Sequence, residues 1–386
     1  MNYRCFFELL QLALGIRATF SWTLTEAEWE EVYECAVQQA MVGICFAGIK
    51  RLPPRQQPPA DLGLQWYGLS RQVEEQNRLL NRRSREACRY FERQGFMACV
   101  LKGQGNARLY PCPLLRQSGD IDVWVVAPRE KADLPASRRR VLRWVAEQGY
   151  AEGFDLKHVH FPFRPDVETE VHFIPSQLHC LANNRRLHRF YADEVETQMA
   201  HRAVLDEPDV AQGSVACPTA KFNLVFQLTH LFEHFLSEGV GLRQVMDYYC
   251  VLKSGLPGAE RAEAVGVIRD IGLRAFAGAV MWVLREVFGL EEAEMLVPMD
   301  ERRGRVLLGE ILMGGNFGQF ESRYWHRGMP AWKFYVARMR RMVHFLRYYP
   351  REVLWDIPFR LCQRMWMLYA SVRYGRAFVS RTPVGH

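Results

Sequence analysis

The chain contains 386 residues, of which 49% are hydrophobic and 24% are charged, and its formal net charge is +7. These fractions are typical of a globular protein of two or three domains with a sizeable buried core. The ten cysteines include no CxxC pair and many lie within apolar runs, which argues against a disulfide framework or a zinc knot and favours reduced thiols in a cytoplasmic protein.

Neither a signal peptide nor a membrane-spanning helix is predicted. The first ten residues carry a glutamate inside their apolar stretch and show no cleavage pattern. No uninterrupted apolar run reaches about 18 residues, the length that crossing a bilayer requires.

The positive charge is concentrated towards the C-terminus. Residues 331–386 contain eleven Lys or Arg residues against Glu352 and Asp356, a net charge of +9, which leaves −2 for the other 330 residues. Affinity for a polyanion is therefore a property to look for in this part of the chain rather than over the whole surface.

The first 95 residues are predicted to be helical. Thr25 and Glu28 have the spacing of a capping box, and apolar residues then recur at helical spacing as far as Ile44. Four prolines between residues 52 and 61 end this helix and act as a linker. Gly95 stands where the C-terminal cap of a long polar helix belongs. The predicted helices are 3–16, one from Thr25 to about Ile44, and 64–94.

Residues from about 90 to 180 are predicted to form a compact α+β unit. Short apolar runs alternate here with turn-forming residues, as strands do, and a helical pattern follows Pro135. The last two strands form a hairpin that turns near residues 164–166. The predicted elements are strand 96–101, strand 120–127, helix 136–148 and hairpin 157–174.

Beyond Gln177 the strand signal nearly disappears, and the rest of the chain is predicted to be helical. The predicted helices are 218–237, 242–253, 259–270, 273–288, 301–313, 330–348 and 351–374. The fold class is therefore α+β, a small sheet with flanking helices and a large all-helical C-terminal region. The predicted domains are a helical region (1–95), a catalytic core (96–200), a helical domain (201–325) and a basic, aromatic-rich tail (326–386).

Acidic residues on two predicted strands suggest a metal site. Asp120 and Asp122 lie on the same face of their strand because strand side chains alternate. Mg²⁺ prefers oxygen ligands from one or two carboxylates, and a third carboxylate is usual when two metals take part. On the later strand Glu168, Glu170 and His172 share the face opposite its apolar residues, and Glu170 is the favoured third carboxylate.

The turn before these aspartates suggests a phosphate site. Gly103 and Gly105 allow the backbone to approach a phosphate, and the short helix that follows presents its positive N-terminus. Lys102 and Arg116 are the nearest cations for a polyphosphate.

Histidines accompany the acidic strand. If residues 164–166 form a three-residue turn, His160 faces Glu170 and His158 faces His172 across the hairpin. A histidine cluster beside the metal is one interpretation of this pattern. Ordinary polar or hydrogen-bonding residues on a strand face are the simpler one.

These motifs together resemble the polymerase-beta-type nucleotidyltransferase superfamily. More narrowly, their order resembles a poorly characterised bacterial nucleotidyltransferase-like family. The resemblance covers about residues 98–250. Its motifs are Leu-Lys-Gly103, Leu-Tyr-Pro111, Arg116, Gly-Asp-Ile-Asp-Val-Trp-Val125 and Glu-Val-His172. A helical segment with similar motifs adds His230, His234, Gly241-Leu-Arg243 and Asp247.

The resemblance implies a mixed sheet, two-metal chemistry and roles for individual residues. Asp120 and Asp122 would bind Mg²⁺ or Mn²⁺, and Glu170 would bind metal or accept the proton of the acceptor. The phosphates of an NTP such as ATP would be held by the turn and its cations, namely Lys102, Gly103, Gln104, Gly105 and Arg116. The sequence departs from the superfamily at Gln104, where a Gly or Ser usually follows the first glycine.

Other residues have simpler interpretations. His230 and His234 stand one helical turn apart. We favour a packing or hydrogen-bonding role for them over a metal site. Arg243 and Asp247 have the spacing of an ion pair within one helix. The tail, in which arginines alternate with aromatic residues, suits nucleic acid, an anionic membrane surface, or ordinary amphipathic helices with their aromatics in the core.

Two functional hypotheses follow from the sequence. The first is an enzyme that transfers a nucleoside monophosphate from an NTP to a hydroxyl acceptor, which could be a small molecule, a protein side chain or an RNA end. The second is a non-catalytic nucleotide sensor or scaffold that uses the same site only for binding.

Overall fold

The computed structural model describes residues 3–149, 155–205, 213–320 and 330–374. Its centre is a four-stranded sheet of β1 (Met97–Val100), β2 (Ile121–Val126), β3 (His158–His160) and β4 (Thr169–His172). The strand order is β1-β2-β4-β3, with β2 and β4 parallel and the other two pairs antiparallel. The prediction of an α+β fold with a small mixed sheet is confirmed.

The N-terminal region consists of helices α1 (Tyr3–Ala13), α2 (Glu26–Gln38), α3 (Val42–Ile49) and α4 (Ala60–Arg93). The predicted capping box of Thr25 and Glu28 is confirmed at the start of α2. The single helix predicted as far as Ile44 is wrong, because Ala40 adopts a left-handed φ of 54° and separates α2 from α3. The adjacent Gln39 side chain is buried and bonded to Ile311 O and Leu242 N, each at 2.9 Å, so long-range contacts hold the chain at this break.

The sheet region also contains helices α5 (Lys102–Ala107) and α6 (Leu134–Glu147). Helix α7 (Leu181–Ala200) follows the sheet and was not predicted, and neither was the small pair of strands β5 (Arg202–Ala203) and β6 (Val215–Ala216).

The remaining helices agree with the sequence prediction to within a few residues. They are α8 (Ala220–Ser237), α9 (Leu242–Lys253), α10 (Gly258–Asp270), α11 (Arg274–Phe288), α12 (Glu301–Gly314), α13 (Ala331–Leu346) and α14 (Pro350–Tyr374). Among the described residues no helix is both long and apolar enough to cross a membrane.

The core joins the sheet to the helices that follow it. All of β2 is buried, and Trp124 on this strand stacks on Phe222 of α8 with ring centroids 5.7 Å apart. Tyr191 of α7 contacts both rings. Eight of the ten cysteines are buried, as their apolar neighbours in the sequence predict.

Two carboxylates fix the orientation of α14. Glu352 accepts hydrogen bonds from the Cys180 backbone N–H at 2.9 Å and from the Asn183 side chain at 2.8 Å. Asp356 pairs with Arg338 of α13 at 2.8 Å. Since both carboxylates are buried, the side of α14 that carries them is held against the protein.

The histidine beside this contact makes the stability of the fold depend on pH. Burial lowers the pKa of His179 to about 4, and the positive charges of Arg360 and Arg338 lower it further. Asp356, which lies 3.4 Å away, opposes this shift, and so does Glu233. An unfolded histidine takes up a proton near pH 6.5. The unfolded state therefore binds more protons between pH 6.5 and 4, and the free energy of unfolding falls as the pH is lowered through this window.

We expect His179→Gln to reduce that loss of stability. The histidine contributes a decrease on the order of 3 kcal/mol when the pH is lowered from 7 to 4, so the variant should lose less stability than the wild type over the same range. Urea unfolding at a series of pH values measures the difference. His344→Gln, at an exposed position on α13, is the control, and an identical pH dependence of wild type and His179→Gln would contradict the prediction.

Candidate active site

A tight turn connects β1 to the short helix α5. Lys102 and Gly103 have positive φ angles of 24° and 40°, and the backbone kinks at Gly103. Glycine suits this position because it adopts such angles without a steric penalty from a Cβ atom. The Leu101 N–H donates to Asp122 O at 2.9 Å, which joins the turn to β2.

Three carboxylates converge beside this turn. Asp122 and Glu170 are paired in the register of the parallel strands β2 and β4, and Asp120 immediately precedes β2. One carboxylate oxygen of each residue lies within 4.8 Å of the other two. Glu168 is exposed and contributes only its backbone carbonyl, which accepts from the Ile121 N–H at 3.0 Å. Of the two glutamates that share the strand face, Glu170 is the one that joins the aspartates.

Asp122 is the most buried of the three carboxylates and is held by two cations. Its Oδ1 lies 2.9 Å from Lys102 Nζ and 2.8 Å from His172 Nε2. Burial alone would raise the pKa of Asp122, but Lys102 and His172 lower it. Conversely, burial opposes protonation of His172, and its bonds to Asp122 and Glu170 outweigh burial and raise its pKa to about 9. Asp122 is therefore an anion at neutral pH.

The other two carboxylates have different proton affinities. Burial and the neighbouring negative charge of Asp122 raise the pKa of Asp120 to about 6. Burial also disfavours ionisation of Glu170, but His158 and His172 hold its pKa well below the usual value. Three carboxylates this close repel one another, and a divalent cation would stabilise such an arrangement.

The predicted hairpin register is confirmed. His158 faces His172 and His160 faces Glu170. His158 Nε2 lies 3.5 Å from Glu170 Oε1, and one ligand atom each of His158, Glu170 and His172 lies within 4.8 Å of the other two. Glu170 thus belongs both to an all-carboxylate group and to a group with two imidazoles.

Arg116 does not face an open phosphate site. Its guanidinium is buried and forms a two-point ion pair with Asp247 of α9, through Nε at 2.7 Å and Nη2 at 2.6 Å, while Nη1 donates to Ser118 at 2.6 Å. Tyr110 also donates to Asp247 at 2.6 Å. Asp247 was predicted to pair with Arg243. It pairs instead with Arg116, which lies 131 residues away in sequence.

Two residues of the predicted phosphate turn are used for packing. The buried Gln104 side chain donates to Asn81 Oδ1 on α4, and at 3.4 Å to Asn77 O. A Cβ atom at Gly105 would lie 3.1 Å from Val100 O, so this glycine permits the close approach of α5 to β1. Gly103 and Lys102 remain beside the carboxylates.

Arg243 of α9 is a cation that the sequence analysis placed in an intrahelical pair. Its Nη1 donates to Gln117 O at 2.9 Å, and its guanidinium lies 5.5 Å from the Phe317 ring. Its buried Nε has no hydrogen-bond partner among the residues that the structure describes. Arg243 also interacts electrostatically with Asp120. The Gly241-Leu-Arg243 motif marked this arginine in the sequence, but the motif did not show which side of α9 faces the carboxylates.

Helix α8 contributes groups close to the hairpin. Lys157 Nζ lies 2.9 Å from Glu233 Oε1, a contact that the sequence analysis missed because nothing in the local pattern relates the two residues. The rings of His230 and His234 meet edge to face at 4.3 Å, and His234 pairs with Glu238 at 3.1 Å. Both metal-capable groups within the described ranges lie on the sheet side, and neither includes His230 or His234.

The model of a family described as uncharacterised nucleotidyltransferases matches residues 25–289. The chain belongs to this family. Comparison with curated proteins and with solved structures gave no match.

The nucleotidyltransferase match spans α2 to α11 and includes all three carboxylates together with Lys102 and Arg243. Helices α12, α13 and α14 lie beyond it. The chain is thus a nucleotidyltransferase-family unit followed by further helices.

Proposed function

We propose that this protein is a metal-dependent enzyme that transfers a nucleoside monophosphate from an NTP to a hydroxyl acceptor. The observation that carries the proposal is the convergence of Asp120, Asp122 and Glu170 at the edge of the sheet in a member of a nucleotidyltransferase family. The acceptor hydroxyl gives up its proton, for which Glu170 is the proposed acceptor, and its oxygen forms a bond to the α-phosphorus. The bond from this phosphorus to the oxygen that bridges to the β-phosphate breaks, and pyrophosphate leaves.

The donor set fits a divalent cation. Carboxylate oxygens are the ligands that Mg²⁺ and Mn²⁺ accept, and Asp120, Asp122 and Glu170 would hold the ion. A bound cation would neutralise charge on the triphosphate and assist in-line displacement. His158 would add a nitrogen donor next to Glu170, as His172 would once the metal displaced its proton, and this combination suits Mn²⁺ better than Mg²⁺.

The surrounding cations would orient the triphosphate. Lys102 is held beside Asp122, and Gly103 places the backbone of the turn next to Asp120. Arg243 brings a guanidinium to the Asp120 side of the site, where it would bind phosphate oxygens. We assign Arg116 to positioning, because its pair with Asp247 connects the loop before β2 to α9.

Turnover of an NTP by the wild-type protein tests the proposal. The protein is incubated with each labelled NTP, Mg²⁺ or Mn²⁺ and a bacterial extract, and pyrophosphate release and the labelled product are followed. We expect release that requires both the cation and an extract component and that stops when EDTA is added. Sensitivity of the labelled product to protease or ribonuclease then distinguishes protein and RNA acceptors from small molecules.

The competing hypothesis predicts a different result. A nucleotide sensor would bind an NTP tightly and release no pyrophosphate with any extract. Binding measured by equilibrium dialysis, together with the absence of labelled product, would therefore overturn the assignment as an enzyme.

A further inference from the structure

Helices α13 and α14 expose apolar side chains in continuous stripes. On α14 the stripe consists of Leu354, Ile357, Leu361, Met365, Leu368 and Val372, which are between 56% and 86% exposed. The stripe on α13 consists of Trp332, Val336, Met339, Val343 and Leu346, which are between 37% and 66% exposed. The spacing of three and four residues puts each set on one face of its helix.

The orientation of α14 explains why the apolar stripe faces outward. Its only two acidic residues, Glu352 and Asp356, are buried in polar contacts with the rest of the protein. An ordinary amphipathic helix would bury its apolar stripe and expose its charges. Rotating α14 to do so would break these contacts, so the apolar face is a stable outer surface.

The charges beside the stripes are all positive. Arg351, Arg364 and Arg373 of α14 are exposed, as are Lys333 and Arg340 of α13. Helix α13 contains no acidic residue, and both acidic residues of α14 are buried. The outer surface of the two helices therefore combines apolar side chains with arginine and lysine alone.

We propose that α13 and α14 dock this protein on an anionic phospholipid surface. Apolar stripes bordered by Lys and Arg are the pattern of helices that lie in the plane of a membrane interface, where the apolar side chains enter the acyl boundary and the cations contact lipid phosphates. The exposed Trp332 is of the type that prefers this interface. The two helices lie outside the family match, so the proposal is independent of the proposed reaction.

Two other binding partners, a second copy of the chain and single-stranded nucleic acid, fit this surface less well. A second copy of the chain would bring together the arginines of α13 and α14, two helices that expose no carboxylate of their own. Single-stranded nucleic acid binds through bases stacked on aromatic rings, whereas only Trp355 and Tyr369 are aromatic among the eight exposed large apolar residues of α14. An anionic lipid surface satisfies both the apolar side chains and the positive charges.

Vesicle flotation of the full-length protein tests the proposal. We expect at least about tenfold tighter binding to phosphatidylcholine vesicles that contain phosphatidylglycerol than to pure phosphatidylcholine, and weaker binding in about 1 M salt, where the screening length falls to about 3 Å. Leu361→Asp/Met365→Asp should reduce binding to the anionic vesicles by about tenfold or more, since it places negative charge in the apolar stripe that would enter the acyl boundary of the membrane. Both positions are exposed in the free protein, so the variant retains its fold.

Two further variants sharpen the result. Leu64→Asp/Tyr67→Asp changes two exposed apolar residues of α4 and should bind vesicles as the wild type does. Arg364→Gln/Arg373→Gln should lose the preference for the anionic lipid. Equal vesicle binding by the wild type and Leu361→Asp/Met365→Asp would overturn the proposal. The proposal would also be overturned if the wild type did not bind vesicles but formed a dimer that light scattering shows to dissociate in this variant. The same holds if the wild type bound RNA and not vesicles, and the variant lost the RNA binding.

Discussion

Asp120→Asn, Asp122→Asn and Glu170→Gln are each expected to lower pyrophosphate release by about a thousandfold. Each change removes one anionic ligand from the carboxylate group, and a cation that stabilises the transferred phosphoryl group contributes several kcal/mol, which corresponds to about this factor in rate. Mn²⁺ affinity, measured by electron paramagnetic resonance, should fall in parallel with the rate. The fold of Asp122→Asn is checked by near-ultraviolet circular dichroism, because Asp122 is also the partner of Lys102 and His172.

Glu168→Gln is the matched control for Glu170→Gln. Glu168 directly precedes β4, two residues before Glu170, but its side chain is exposed and outside the metal-capable group. We expect the control to change the rate by less than about twofold, as surface substitutions usually do little. A control as damaging as Glu170→Gln would mean that the reacting groups lie elsewhere along the strand.

The carboxylate group could be predicted because strand geometry is local. Alternation with period two put Asp120 and Asp122 on one face. The pairing predicted across the β3–β4 hairpin agrees with the observed register, although Arg164 pairs with Val167 and does not lie in the turn. The sequence favoured Glu170 over Glu168 as the third carboxylate but gave no geometric reason for the choice. The parallel register, which pairs Asp122 with Glu170, makes that choice, and parallel pairing depends on a crossover that local patterns do not determine.

The cations of the site were harder to predict because their partners are distant in sequence. Helical spacing suggested that Arg243 pairs with Asp247, whereas packing of α9 against the loop before β2 pairs Asp247 with Arg116. The same limitation applies to Gln104, whose partners lie on α4. The helix break at Ala40 also depends on distant contacts, those of Gln39. The boundaries proposed for the four domains stay predictions.

The tail shows what periodicity can and cannot decide. The sequence predicted both helices correctly, and one of its three interpretations of the tail put the aromatic residues in the core. Phe345 and Tyr349 are indeed buried, but Trp332 is exposed. Periodicity identifies an apolar stripe without showing which way it faces. On α14 the two buried carboxylates decide the orientation, and the partners of Glu352, which are Cys180 and Asn183, are about 170 residues away in sequence.

Asp247→Asn is expected to lower the free energy of unfolding by about 3 to 5 kcal/mol. The substitution leaves the buried Arg116 guanidinium without its counter-charge, and an uncompensated buried charge carries a cost of this size. Urea unfolding measures the change. Glu301→Gln, which breaks an exposed pair with Arg305 within α12, is the control and should cost less than about 1 kcal/mol.

The double variant Arg116→Met/Asp247→Leu separates the cost of an unpaired charge from the contribution of the pair. Because both charges are removed together, we expect it to be more stable than Asp247→Asn by about 2 kcal/mol or more. If instead it is the least stable of the three proteins, the pair and its bonds to Ser118 and Tyr110 stabilise the fold beyond charge compensation. In either case the loop that leads to Asp120 keeps only the Arg243 bond to Gln117 O as a contact with α9 among those described above, so NTP turnover by the double variant should fall even where stability is retained.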